Sequence, residues 1–284
     1  MKNKTLLFAA LVSVFGWCCI SCESNDSNQA GGGSSTYEAK GFSISAGKQV
    51  NFSKGNLQYT QSTETWAFAA NQYDMIGEAN VDGDELADKI DLFGRSGNTA
   101  TAKWGISTSI GYSAYSGDFA DWGQNIGDGR TWRTLTHEEW QYVLSKRRDA
   151  DKKIGVARIN LDAEGTTYSN GLILLPDGWN SPLTVAFKFG FASEDSEQAY
   201  ADYQTLTLEQ WENLEKAGAV FLPATGNRDG SNISDVQYRG DYWTSTPYDG
   251  SYAPFTMHFQ SLGTDDDYSC DDCIGLAVRL VQDL

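Results

Sequence analysis

The chain has 284 residues, a formal charge of −17, 13% aromatic residues and 29 glycines. A field of that sign repels nucleic acid and anionic membrane faces, which argues against binding DNA, RNA or acidic lipid through charge. Many glycines and few long apolar runs point to a strand-and-loop protein rather than a helix bundle.

At the N-terminus, Lys2 and Lys4 precede an uncharged apolar stretch from Leu6 to Ile20. It is shorter than the roughly 20 residues a spanning helix needs. Its layout is that of a secretory signal over residues 1–21. The stretch ends in Cys19-Ile20-Ser21-Cys22, which resembles the lipobox of bacterial lipoproteins and implies a lipid on Cys22. Loss of Lys2 and Lys4 takes the charge from −17 to −19. Residues 22–36 are rich in Ser, Asn and Gly and nearly free of apolar side chains. Such a segment acts as a flexible tether. Its first residues resemble the surface-export signals of Bacteroidetes lipoproteins. The resemblance implies an outer-membrane, surface location, with the membrane contacted through the lipid only.

Residues 37–284 have room for one large domain or two small ones. Strands are expected, in chain order, at 42–46, 49–52, 57–60, 66–69, 172–175, 185–189, 220–222, 242–246, 252–260 and 276–281. Long loops are expected at 74–130 and 190–204. Two helix starts share the pattern T-L-T-x-E-x-W, at Thr134–Trp140 and Thr205–Trp211. In each the second threonine caps the helix, and Glu139 or Gln210 completes a capping box. Trp140, Val143 and Leu144 fall on one helical face, as do Trp211 and Leu214, and Gly218 is placed to end the second helix. These tryptophans read as core. Two helices among many strands indicate a single α+β domain.

The segments Phe52-Ser-Lys-Gly-Asn-Leu-Gln-Tyr59, Trp66-x-Phe68-Ala-x-Asn-Gln-Tyr73, Ile90-Asp-Leu-Phe-Gly94, Trp132-Arg-Thr-Leu-Thr-x-Glu-Glu-Trp140, Leu174-Leu-Pro-Asp-x-Trp179, Ala219-Val-Phe-Leu-Pro-Ala224, Tyr242-Trp-Thr-Ser245 and Gly275-Leu-Ala-Val-Arg-Leu280 occur in order. Together they resemble the Fibrobacter succinogenes major paralogous domain, over nearly all of residues 41–281. That family is similar to the C-type-lectin-like fold, in the branch that includes formylglycine-generating enzymes. The resemblance implies short twisted antiparallel strands, two main helices and long loops.

Catalytic chemistry finds little support. With Cys18 and Cys19 in the signal and Cys22 lipidated, only Cys270 and Cys273 remain. In an exported protein they could form a local disulfide. Formylglycine-generating enzymes use a copper-binding cysteine pair, but the spacing here differs from theirs. Related iron oxidases need three His ligands, and the chain has only His137 and His258. His137 is expected on the exposed first turn of its helix. No Gly-x-Ser-x-Gly elbow is present. Asp82-Gly-Asp-Glu85 and Asp265-Asp-Asp267 offer hard oxygens without the full ligand spacing of a calcium loop. No catalytic residue, metal or cofactor is therefore expected; the alternatives are a formylglycine-generating-enzyme-like oxidase and a structural part of an envelope complex.

Between Arg239 and Arg279 there is no Lys, Arg or Glu, while Tyr, Ser, Thr, Gly and Asp abound. Such residues make adaptable contacts. Alternation over 252–260 puts Ala253, Phe255, Met257 and Phe259 on one face, read as core. Tyr252, Pro254, Thr256, His258 and Gln260 fall on the other. With Thr246, Tyr248, Asp249, Tyr268 and Asp271 from adjoining loops they form the expected ligand-binding surface, for a protein or a glycan. Pro254 suggests an outward-facing or edge strand. The composition also resembles that of C-type-lectin-like segments diversified by adenine-mutating retroelements, with Met257 and Gln260 as fixed positions.

Overall fold

Threonines begin two of the helices. A computed structural model describes residues 41–95, 103–106, 119–182, 187–246, 256–265 and 268–284. By its contacts the chain divides after Thr36, and every described residue belongs to the unit Tyr37–Leu284. Thr136 Oγ1 accepts from Glu139 N at 3.2 Å, and Glu139 Oε2 accepts from Thr136 N at 2.9 Å. Thr207 and Gln210 repeat this at 3.2 and 2.9 Å. The first helix, His137–Gln141, runs on into a wider π turn over Tyr142–Lys146. The second, Leu208–Lys216, ends where Gly218 adopts φ +99°, which a side chain would disfavour. Trp140 and Trp211 are core, as their spacing implies.

A further helix, Glu197–Tyr203, lies where a loop was expected. It has seven residues, too few for a periodic signal. Ser196 caps it, and its buried Tyr200 donates to the Tyr238 carbonyl at 2.9 Å. The architecture is mixed α+β. Among the described residues there are three α-helices and several mainly antiparallel sheets, none of which closes into a barrel.

The largest sheet has the order Thr205–Thr207, Ile154–Asn160, Tyr168–Leu174, Val220–Pro223. Its middle strands form an antiparallel hairpin from Ile154↔Leu174 to Asn160↔Tyr168. The turn is held by the Asp162 carboxylate, which accepts from the backbone of Thr166 and Thr167 at 2.8 and 2.7 Å. Ile154–Asn160 was not expected as a strand. It is covered on both faces, so it lacks the alternation that marks a half-exposed strand. Ile154, Val156, Leu172, Leu174 and Leu222 face one core with Trp140, Tyr242 and Phe259. Ala157, Ile159, Ile173 and Phe221 face another, closed by Trp211 and Leu214. At Gly171 a Cβ would stand 2.4 Å from the Leu222 carbonyl oxygen, so only glycine fits between these strands.

A second sheet joins the domain's ends, in the order Phe42–Ser45, Lys48–Phe52, Leu280–Asp283, Arg133–Thr134. The last strand starts later than 276. Leu276 and Ala277 make only single bridges, to Phe93 and Tyr242. Leu57–Thr60 pairs with Thr65–Phe68 and Lys89–Ile90. Around it lies an aromatic core that includes Trp104, Trp122, Trp132 and Trp243. Asp82–Glu85 is the turn of a tight hairpin.

The segment 74–130 holds short elements rather than one continuous loop, and a buried carboxylate organises its start. Asp91, fully buried, accepts from Ile76 N and Asn80 Nδ2, each at 2.8 Å, while Asn80 Oδ1 accepts from Asp91 N. Burial outweighs these bonds and raises the Asp91 carboxyl from its ordinary 3.8 to about 6. A raised carboxyl favours the folded state in its neutral form. That contribution is complete below about pH 4 and gone above about pH 6, a swing of about 3 kcal/mol. Wild type and Asp91→Asn should therefore differ in pH dependence. Denaturant unfolding between about pH 4 and 7 should show wild type losing about 3 kcal/mol relative to the variant as pH rises.

Candidate functional site

The C-terminal sheet pairs Gly240–Trp243 with Thr256–Gln260, and Thr256–Gln260 with Gly263–Asp265. Met257 and Phe259 point into the core beside Tyr242, as alternation implies. The register sets Asp241 opposite His258. His258 Nδ1 and Asp241 Oδ1 lie 2.6 Å apart, with both residues buried. Arg239 Nε is 2.9 Å from Asp241 Oδ2, an ion-pair contact. The same Nε is 3.2 Å from Asp235 Oδ2. The Tyr268 ring lies 4.9 Å from that of His258, tilted by 34°. Arg239 sits 5.9 Å from the Tyr268 ring centre.

Two side chains expected on display are not displayed. Thr256 is 0% exposed and His258 is 9% exposed. Alternation identifies the second face of the strand but not what covers it. Residues 268–273 return over it: Thr256 N and Oγ1 both donate to the Tyr268 carbonyl, at 2.8 and 3.3 Å. Thr246 is half-buried, and its Oγ1 accepts from His137 N at 3.0 Å. That packing also corrects His137, which is 8% exposed rather than on an open helical turn. Gln260 and Tyr268 are half-buried and Asp271 is exposed. Tyr248, Asp249, Tyr252 and Pro254 lie outside the described residues, as does Cys22. Sequence reading missed Asp241, Arg239 and Asp235, because only cross-strand register brings them to His258.

Cys270 and Cys273 are free thiols in the structure, not a bridge. Burial pushes both upward, and nearby carboxylates add to this, foremost Asp241 for Cys270 and Asp271 for Cys273. Both are thereby disfavoured as thiolate nucleophiles or metal ligands. Among the described residues, no group of three or more His, Cys, Asp or Glu is placed to hold a metal ion.

The arrangement is a braced imidazole. With a carboxylate on Nδ1, that nitrogen carries the proton and donates. Nitrogen-15 NMR should find Nδ1 of His258 protonated and hydrogen-bonded. Asp241→Asn should weaken the Nδ1 hydrogen bond and cost about 1–3 kcal/mol in unfolding free energy, the penalty of mispairing a buried polar group.

Comparison with protein-family models, with curated proteins and with solved structures finds no match to this chain.

Proposed function

We propose that the chain is an exported lipoprotein whose folded domain is a ligand-binding module, recognising a protein or a glycan through its C-terminal surface. The observation that carries this reading is the convergence of Gly240–Thr246, Thr256–Asp265 and Tyr268–Cys273 on the buried Asp241–His258 pair. A locked foundation beneath half-exposed polar and aromatic side chains suits recognition, because little order is lost on binding. In this reading Thr256, His258 and Thr246 brace the surface rather than touch the ligand. Tyr268, Gln260 and Asp271 are the described contacts, and Tyr248, Asp249, Tyr252 and Pro254 extend them. A C-type-lectin-like scaffold is supported by the pairing of Lys48–Phe52 with Leu280–Asp283 and by the two capped helices in their expected order.

The anchor belongs to the same proposal. Lipid on Cys22 and a tether over 22–36 would hold the domain off the outer membrane, facing outward. Cys22→Ser is expected to move the protein from the membrane fraction to the soluble fraction and to remove the acyl mass in intact-protein mass spectrometry. Equal membrane retention would refute the anchor.

Binding is tested by probing protein and glycan arrays with the purified full chain. At least one ligand should be captured, and the double variant Tyr268→Ala with Gln260→Ala should reduce capture about tenfold, about 1.4 kcal/mol. A blank array, or unchanged capture by a correctly folded double variant, would overturn the assignment.

A further inference from the structure

A cleft of about 410 Å³ opens between the strand Leu57–Thr60, the segment 70–76 and the turn end of the hairpin that contains Tyr168. Its volume is in the roughly 300–1,000 Å³ range of small-molecule sites. It shares no lining residue with the C-terminal surface. Gln58 forms its floor. Leu57 and Tyr59 pack into the aromatic core, so Gln58 stands on the opposite side of the strand. Lys89, the cross-strand partner of Thr60, shares that side and also lines the cleft.

Gln58 is 6% exposed, yet among the described residues its carboxamide has no hydrogen-bond partner. Its cross-strand neighbour is Ala67, which has no polar side-chain atom to offer. The buried amides of Asn56, Gln72, Asn80 and Asn170 are, by contrast, engaged. A buried polar group without a partner is costly, and one that faces a cleft is satisfied by what enters it. The walls are already fixed. Arg158 lies 3.8 Å from the Tyr168 ring centre, and the Tyr168 hydroxyl donates to Glu197. Gln237 Oε1 accepts from Asn170 N at 2.7 Å, and its Nε2 donates to the Tyr168 carbonyl at 3.0 Å. The Asp74 carboxylate accepts from Asn71 N at 2.9 Å. Asp74 and Lys89 are the charged residues that line the cleft, one of each sign, so it selects no ion.

From the unpaired carboxamide in a cleft of balanced charge we infer that this site binds a neutral sugar ring. Two adjacent ring hydroxyls meet Gln58: its Nε2 donates to one, and its Oε1 accepts from the other. Each hydroxyl can donate and accept, so the pair matches a donor and an acceptor set side by side. The C–H face of the ring packs against Tyr73, Met75 and Leu161. An ion gains nothing from walls of balanced charge, and an apolar molecule leaves Gln58 unpaired.

Ligand-observed NMR titration of the full chain in detergent tests this with methyl α-glucopyranoside, methyl α-mannopyranoside and methyl β-galactopyranoside. At least one should bind. Cyclohexylmethanol, which has a ring without the hydroxyl pair, and benzamide, which has an amide without the sugar, should not. Gln58→Met keeps the length of the side chain and removes both hydrogen-bonding atoms, so binding should weaken about tenfold. The melting temperature should not fall, because among the described residues the Gln58 carboxamide has no hydrogen bond to lose. Ala70→Trp, at an exposed residue of the cleft rim, should block binding by bulk. Tyr268→Ala with Gln260→Ala, at the other surface, should leave this binding unchanged. The inference falls if none of the three sugars binds, if cyclohexylmethanol or benzamide binds as tightly as the best of them, if folded Gln58→Met or Ala70→Trp binds like wild type, or if the Tyr268 and Gln260 variant loses the binding.

Discussion

The fold depends on one buried cation. Arg279 is 1% exposed and, among the described residues, no carboxylate is in ion-pair contact with it. Its Nη1 donates to Asn56 Oδ1 at 3.2 Å and its Nη2 to Gln72 Oε1 at 2.5 Å. Both amides reach onward. Asn56 Nδ2 donates to the Tyr242 hydroxyl, which donates to the Pro223 carbonyl. Gln72 accepts from Phe221 N and donates to the Ala219 carbonyl, so its side chain continues the edge of the largest sheet. Segments more than two hundred residues apart in sequence thus meet at one guanidinium. Burial lowers Arg279 from its ordinary value to about 10, which leaves it charged at neutral pH. Removing it would strand Asn56 Oδ1, at a cost of about 1–3 kcal/mol, and leave Gln72 Oε1 with Phe221 N alone.

Other buried arginines do the same work for irregular backbone. Arg147 donates to the carbonyls of Val143, Leu175 and Lys153. Arg228 reaches those of Gly230, Leu92 and Gly105. Arg95 reaches the Ser245 carbonyl and pairs with Asp272 at 3.6 Å. A protein of short strands leaves many carbonyls outside any ladder, and each needs a donor when buried. Guanidinium supplies five donors in a planar fork and suits this better than lysine. Arg95 also ties the 268–273 return to the turn at Ser245, so the C-terminal surface and the aromatic core share a fastening.

The C-terminal surface stands on a strand pair whose polar face is covered and braced. Asp241, Gln72 and Arg279 are buried within hydrogen-bond networks and cannot vary at small cost.

Local chemistry was legible in the sequence. Both capping boxes, the glycine stop at Gly218, the buried face of Met257 and Phe259, and the α+β class follow from neighbours a few residues apart. What tertiary structure alone decided concerns covering. Ile154–Asn160 carried no alternation because both its faces are buried. Helix Glu197–Tyr203 is too short to show a period and is held by distant contacts. Thr256, His258 and His137 were expected outside, yet lie beneath segments that return from elsewhere in the chain. Periodicity fixes which side chains share a face, since that is set by backbone geometry. It does not say whether another part of the chain will lie on that face, since that is decided by the packing of the whole domain.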